Sequence, residues 1–130
     1  MANSNPLTRL AIAATAFLVM GAAGAASFEE AKRQADADEA KLTSAQVGAL
    51  AQAQGAVAGV AFASCMPRPA PQPLPAFVVV MKINAEGRVV QTWTRGDSVL
   101  TACMAGQFSE AMSFRPPSAP FFTSFDFKPR

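Results

Sequence analysis

Five prolines fall within ten residues near the middle of this 130-residue chain, from Met66 to Pro75. Proline has no backbone N–H and fixes φ, so this tract can form neither an α-helix nor a sheet ladder. Such tracts can be recognition motifs, but we interpret this one as a short extended spacer over residues 67–75. It divides the chain into a helical front, residues 27–66, and a compact back, residues 76–130.

Residues 1–26 have the three-part layout of a secretory signal peptide. Arg9 precedes an apolar stretch from Leu10 to Met20, and residues 21–26 are all glycine or alanine. We expect cleavage after this run and a small mature domain of about 104 residues, in the periplasm or secreted. The alternative is an uncleaved membrane anchor, because Leu10 to Ala26 is long enough to span a bilayer.

Cys65 and Cys103 are the two cysteines of the chain. Both follow the predicted leader, and exported proteins meet oxidants that keep disulfides formed. We therefore expect the two to pair, which would stabilise the fold by about 4 kcal/mol on the chain-entropy model. The alternative is a pair of buried thiols.

The front region predicts one or two helices. Ser27 to Lys41 is polar and mixed in charge, typical of a solvated helix or a disordered lead-in. Thr43 or Ser44 can cap a second helix, whose apolar residues recur at spacings of three and four down to Cys65. Its glycines lower helix stability by up to about 1 kcal/mol each relative to alanine, unless they permit close packing. These glycines are Gly48, Gly55 and Gly59.

The back region predicts a hairpin, a helix and a last strand. Ala76 to Ile83 and Arg88 to Thr94 have strand composition, and the intervening Asn-Ala-Glu-Gly supplies a tight turn. Asp97 or Ser98 can cap the next helix, which Arg115-Pro116-Pro117 would stop. Phe121 to Phe127 alternates as a final strand. The residues expected on the inward face of the hairpin are Phe77, Val79, Met81, Ile83, Val89 and Trp93.

These elements predict an α+β fold. We expect a three-stranded antiparallel sheet with one helix in the order β-β-α-β, preceded by one or two N-terminal helices.

The chain contains no histidine and no tyrosine. The commonest base for activating serine or cysteine is therefore missing, as is the commonest nitrogen ligand for zinc. Glu86 lies in the predicted turn, Asp97 can be a cap, and Glu110 lies on the polar side of its helix, so each carboxylate has a structural role. We expect no enzymatic activity, no metal or other cofactor and no small-molecule substrate. The low net charge of +2 indicates no nucleic-acid partner.

The part of the chain from Cys65 to Phe127 carries an ordered set of motifs. They are Cys65 before a proline-containing link, the strand 78–83 running into the turn 84–87, Leu100 with Cys103 opening a helix, Phe114-Arg115-Pro116-Pro117, and the closing strand 121–127. This set resembles the C-terminal domain of TonB and its relatives, most closely the branch associated with AgmX and PglI proteins.

The resemblance implies a periplasmic module that binds an envelope protein by main-chain pairing along its sheet edge, with the last strand as the candidate. The partner-binding residues it implies are Phe121, Phe122, Ser124 and Asp126. Phe122 lies opposite the inferred core, where a partner or the front helices would cover it.

The alternative that the resemblance implies is an inner-membrane-anchored component of a TonB-like energy-transducing or secretion assembly. That role requires the leader to be kept as a membrane anchor, and proteins with this role usually contain a much longer proline-rich segment that crosses the periplasm. Because the leader here has the layout of a cleavable one and the tract is short, we carry over the fold and the mode of binding but not energy transduction.

Overall fold

The computed structural model describes residue 25 and residues 27–129. The signal peptide predicted for residues 1–26 therefore lies outside the described residues, except for Ala25. Among the described residues are three helices and three strands: α1 (Phe28–Glu39), α2 (Ser44–Cys65), β1 (Phe77–Ile83), β2 (Val89–Arg95), α3 (Val99–Ala111) and β3 (Phe121–Phe127). The predicted α+β class and the order of the elements are confirmed.

The three strands form one antiparallel sheet in the order β2-β1-β3. The turn between β1 and β2 is organised by Asn84, whose side-chain carbonyl accepts from Glu86 N at 3.1 Å and from Arg88 N at 2.9 Å. Gly87 completes the turn with a φ of +88°, and a Cβ there would lie 3.0 Å from the carbonyl oxygen of Phe114.

The segment after α3 is held extended beside this turn. The N–H of Phe114 donates to the carbonyl of Gly87 at 3.0 Å, and Arg88 forms an isolated bridge with Ser113. Helix α3 consequently ends at Ala111, earlier than the predicted stop at Arg115.

The pairing of β1 with β2 shifts by one residue at Val90, which has no partner in β1. An extra residue reverses the alternation of side chains between the two faces of a sheet. Trp93 pairs with Val80 and lies on the same face as Phe122, with 5.7 Å between the ring centroids. The prediction that Trp93 points into the main core is therefore wrong, because strand alternation alone does not reveal a bulge.

The main core lies between one face of the sheet and helices α2 and α3. Its larger members are Leu50, Val57, Phe77, Val79, Met81, Ile83, Leu100, Met104, Phe108, Met112 and Phe121. Thr43 caps α2 in a reciprocal capping box with Gln46, and Ser98 caps α3.

Cys65 and Cys103 connect α2 to α3 at the edge of this core. Their sulfur atoms lie 2.00 Å apart and their Cα atoms 5.7 Å apart, within the range of disulfide geometry. The arrangement is compatible with the disulfide predicted from the sequence.

Helix α1 covers the opposite face of the sheet. Ala31 and Ala35 are fully buried against Val80 and Phe122, so this helix is solvated on one side and packed on the other. The front helices thus lie on both faces of the sheet, and residues 27–66 share their cores with residues 76–130. The tract 67–75 contains no regular secondary structure, as its prolines predict.

Candidate interaction edges of the sheet

The strand order leaves β2 and β3 at the two edges of the sheet. In an antiparallel ladder, alternate residues bond the neighbouring strand and the others direct their N–H and C=O groups outward. On β3 the outward residues include Phe122 and Ser124, since their N–H groups meet helix side chains rather than β1. The intervening Thr123 pairs with Met81, and Met81 pairs on its other side with Thr92. Met81 uses its backbone N–H and C=O for Thr123, so it does not bond Thr92. The backbone groups of Thr92 therefore point away from the sheet, as do those of Thr94 two residues later.

The outer edge of β3 is covered by three side chains, which we call the edge cap: Asp38, Glu39 and Gln54. The N–H of Phe122 donates to Asp38 Oδ2 and that of Ser124 donates to Glu39 Oε2, each at 2.9 Å. Gln54 Nε2 donates to the carbonyl of Ser124 at 3.0 Å. Hydrogen bonds to carboxylates are shorter and stronger than neutral ones, so the edge of β3 is firmly satisfied within the chain.

A buried hydroxyl joins the members of the edge cap. Thr123 is fully buried, and its hydroxyl accepts from Gln54 Nε2 at 3.1 Å and donates to Glu39 Oε2. Burial of a polar group without partners is costly, which explains why this threonine and its two partners occur together. The sequence predictions did not include this cluster; the available signal was Gln54, a polar residue at the three-and-four spacing of the apolar residues of α2.

The four residues predicted to bind a partner lie in different environments. Phe121 is buried in the main core beside Phe114, with 5.7 Å between ring centroids. Phe122 is 4 % exposed beneath α1; of the two covers expected for it, a partner or the front helices, the described structure has the helix. Ser124 is half-buried under the edge cap, and Asp126 is exposed with its carboxylate 3.9 Å from Lys32 Nζ. Partner binding by the last strand stays a prediction.

Lys32 helps to hold α1 on the sheet. Its ammonium group donates to Asp36 at 2.6 Å and lies beside Asp126 of β3. The hydrogen bond with Asp36 raises the pKa of Lys32, partial burial opposes that shift, and the charges of Asp126, Asp36 and Glu39 reinforce it.

The edge of β2 differs from that of β3. Within the described residues no strand lies beyond β2, and Gln91 and Thr94 are exposed. Arg88, just before the strand, donates to the carbonyl of Glu110 at 3.2 Å. Arg95, at its far end, pairs with Glu29, and its guanidinium lies 4.2 Å from the ring centre of Phe28. Both arginines thus contact helices, and the outward backbone groups of β2 meet no other strand of the described residues.

Beside the turn end of the sheet lies an open groove of about 500 Å³ with a mostly apolar lining. The groove is lined by Lys82, Ile83, Asn84, Ala85, Val90, Ala119 and Pro120. Among the described residues, no group of three or more acidic or cysteine side chains is arranged to hold a metal ion.

Helix α2 is the one helix of the described part of the chain that is long and apolar enough to cross a membrane. In that apolar stretch 22 % of the residues are buried, among them Leu50, Val57 and Ala61, which belong to the main core.

No protein-family model, curated protein or solved structure matches the chain. The resemblance to the TonB C-terminal domain therefore stays a hypothesis based on its motifs, and a functional proposal depends on the geometry of the two edges.

Proposed function

We propose that this protein is an exported, non-enzymatic interaction module that binds an extended segment of another envelope protein along β2. The observation that carries the proposal is the pair of outward-facing peptide groups at Thr92 and Thr94, which no strand of the described chain covers. An added strand would satisfy these groups with main-chain hydrogen bonds, the mode of recognition known as β-augmentation.

The contrast between the two edges supports β2 as the binding strand. Natural sheets protect their edges with lysine, proline, bulges or a covering element. Side chains of α1 and α2 bond the outward backbone groups of β3, whereas β2 contains neither lysine nor proline and carries a bulge at Val90. Its β-branched residues Val89, Val90, Thr92 and Thr94 favour further strand pairing.

Export is supported by the leader pattern of residues 1–26 and by two cysteines at disulfide distance in a domain small enough to need such a link. Mass spectrometry of the exported product tests this part, with loss of the leader as the expected result. An intact Met1 on a protein that resists carbonate washing of inner membranes would favour the anchored TonB-like component instead.

The binding proposal is tested by Thr92→Pro, with Thr92→Val as the matched control. Proline removes an outward N–H that the internal ladder does not use, so we expect the variant to fold. Valine keeps the N–H and the branched shape. We expect envelope proteins cross-linked by the wild type and by Thr92→Val to be lost with Thr92→Pro, while thermal unfolding remains cooperative. Recovery of the same proteins in equal amounts from a folded Thr92→Pro variant would refute pairing at β2.

A further inference from the structure

We propose that the edge cap closes a second, latent strand-binding edge on β3 and must be displaced before that edge can pair. The proposal goes beyond binding at β2, since it concerns the opposite side of the sheet and a different set of residues. It begins from the contacts of Asp38, Glu39 and Gln54.

The edge cap reproduces the hydrogen-bonding pattern of a neighbouring strand. Asp38 and Glu39 provide acceptors for two outward N–H groups that lie two residues apart, at Phe122 and Ser124. Gln54 provides a donor for the outward carbonyl of Ser124 at 3.0 Å. An added antiparallel strand would present a carbonyl and an N–H to the peptide groups of Ser124 in the same way. The cap and an incoming strand would therefore compete for the same atoms.

The position of its two carboxylates makes this part of the edge cap displaceable. Asp38 and Glu39 belong to the last turn of α1, and helix ends are the parts of a helix that open most readily. The helical side chains that α1 buries completely are the small ones of Ala31 and Ala35, and the ion pair that links its first turn to Arg95 is exposed. Alanines remove little apolar area from water, so α1 is held less strongly than the helices of the main core.

The same geometry describes the partner that could open the edge. A strand added to β3 would place alternate side chains beside Phe122, on the face that α1 now covers. Displacing α1 exposes Phe122 and Val80, both of which are buried in the closed form. The occupant is therefore an extended segment with apolar side chains at alternate positions, which would cover this patch as well as pair with the edge.

The experiment compares the full exported chain with the variant Asp38→Ala/Glu39→Ala. Glu86→Ala/Glu110→Ala is the control, because it removes the same charge at exposed sites away from β3. Amide hydrogen exchange is followed by NMR, with and without a soluble peptide of alternating threonine and valine as the probe strand. In the cap variant we expect exchange at Phe122 and Ser124 to speed up by about tenfold or more, since a hydrogen bond to a charged acceptor is lost at each amide.

The peptide should then slow exchange at these two amides in the cap variant and leave them unchanged in the wild type and the control. If a folded cap variant shows faster exchange that the peptide does not reverse, the cap is a structural cover and the proposal is wrong. Unchanged exchange at both amides on removal of the carboxylates would also overturn it. Should the double variant not fold, Glu39→Ala alone is followed at Ser124. Protection of the Thr92 and Thr94 amides in the same spectra tests the β2 edge separately, so failure of one proposal is distinguished from failure of the other.

Discussion

Replacing Gly55 and Gly59 with alanine should stabilise this protein by about 2 kcal/mol. Both glycines lie inside α2 on its exposed side, and a Cβ added at either position meets no atom within 4 Å. Glycine in a helix interior costs about 1 kcal/mol relative to alanine, because it loses more backbone freedom on folding. The close packing that would justify such residues is not made within the described chain, so each substitution should recover this cost.

Thermal unfolding followed by circular dichroism measures the effect. For a domain of this size, 1 kcal/mol shifts Tm by about 4–8 °C, so the double variant should unfold about 8–16 °C above the wild type. Gly87→Ala is the opposing control and should lower Tm. Its φ of +88° and the carbonyl oxygen 3.0 Å from the added Cβ both oppose a side chain.

A Tm for Gly55→Ala/Gly59→Ala at or below that of the wild type, with helix content unchanged, would refute the reasoning. It would mean that this side of α2 is in contact with something in solution. Repeating the measurement at two protein concentrations separates a second copy from a misjudged helix propensity, because self-association makes Tm depend on concentration.

Three further predictions concern the links between the helices and the sheet. Cys65→Ala/Cys103→Ala should lower the free energy of unfolding in urea by about 4 kcal/mol, given the 38-residue separation; a loss under about 1 kcal/mol would contradict a disulfide. Asp36 raises the pKa of Lys32 above its ordinary value of 10.5, so the stabilisation of the folded protein by the charged Lys32 is complete below pH 10.5 and is lost as the pH rises through the higher pKa of the folded state. When Tm is measured at increasing pH up to about 11.5, Lys32→Met should therefore show a smaller decrease in Tm at alkaline pH than the wild type. Phe122→Ala should cost about 3–5 kcal/mol and make α1 the first site of limited proteolysis; early cleavage elsewhere would contradict the docking of α1.

Several features of this fold followed from short stretches of sequence. A cap at Thr43 or Ser44 was expected because either hydroxyl can accept from the free donors of a helix start, and the structure has Thr43 as the cap, with its hydroxyl 3.2 Å from Gln46 N. The turn at Gly87 was expected from its residue types, and the pairing of Cys65 with Cys103, with which the structure is compatible, from the export that the leader pattern predicts. Each of these inferences depends on interactions within a few residues or on the compartment.

The face of the sheet on which Trp93 lies was predicted incorrectly because of a bulge in β2, a local feature that the sequence does not reveal. Alternation along β2 is a sound expectation only while every residue has a partner, and Val90 has none. Nothing in the run Val-Val-Gln-Thr-Trp-Thr-Arg distinguishes a bulged strand from a regular one.

Local sequence patterns were sufficient to predict the α+β class, the order of helices and strands, and the helix caps. They act through backbone propensity and neighbouring side chains, which operate before the chain is compact. Which edge of the sheet is open was decided by the tertiary structure. Asp38 and Glu39 meet β3 across 84 and 85 residues of sequence, and they do so because α1 packs its alanines on the face that carries Phe122. Contacts between residues so far apart in sequence follow from the packing of whole helices and strands. For this reason the last strand, which its motif predicted to be available for pairing, is the covered edge of the sheet, and β2 is the exposed edge.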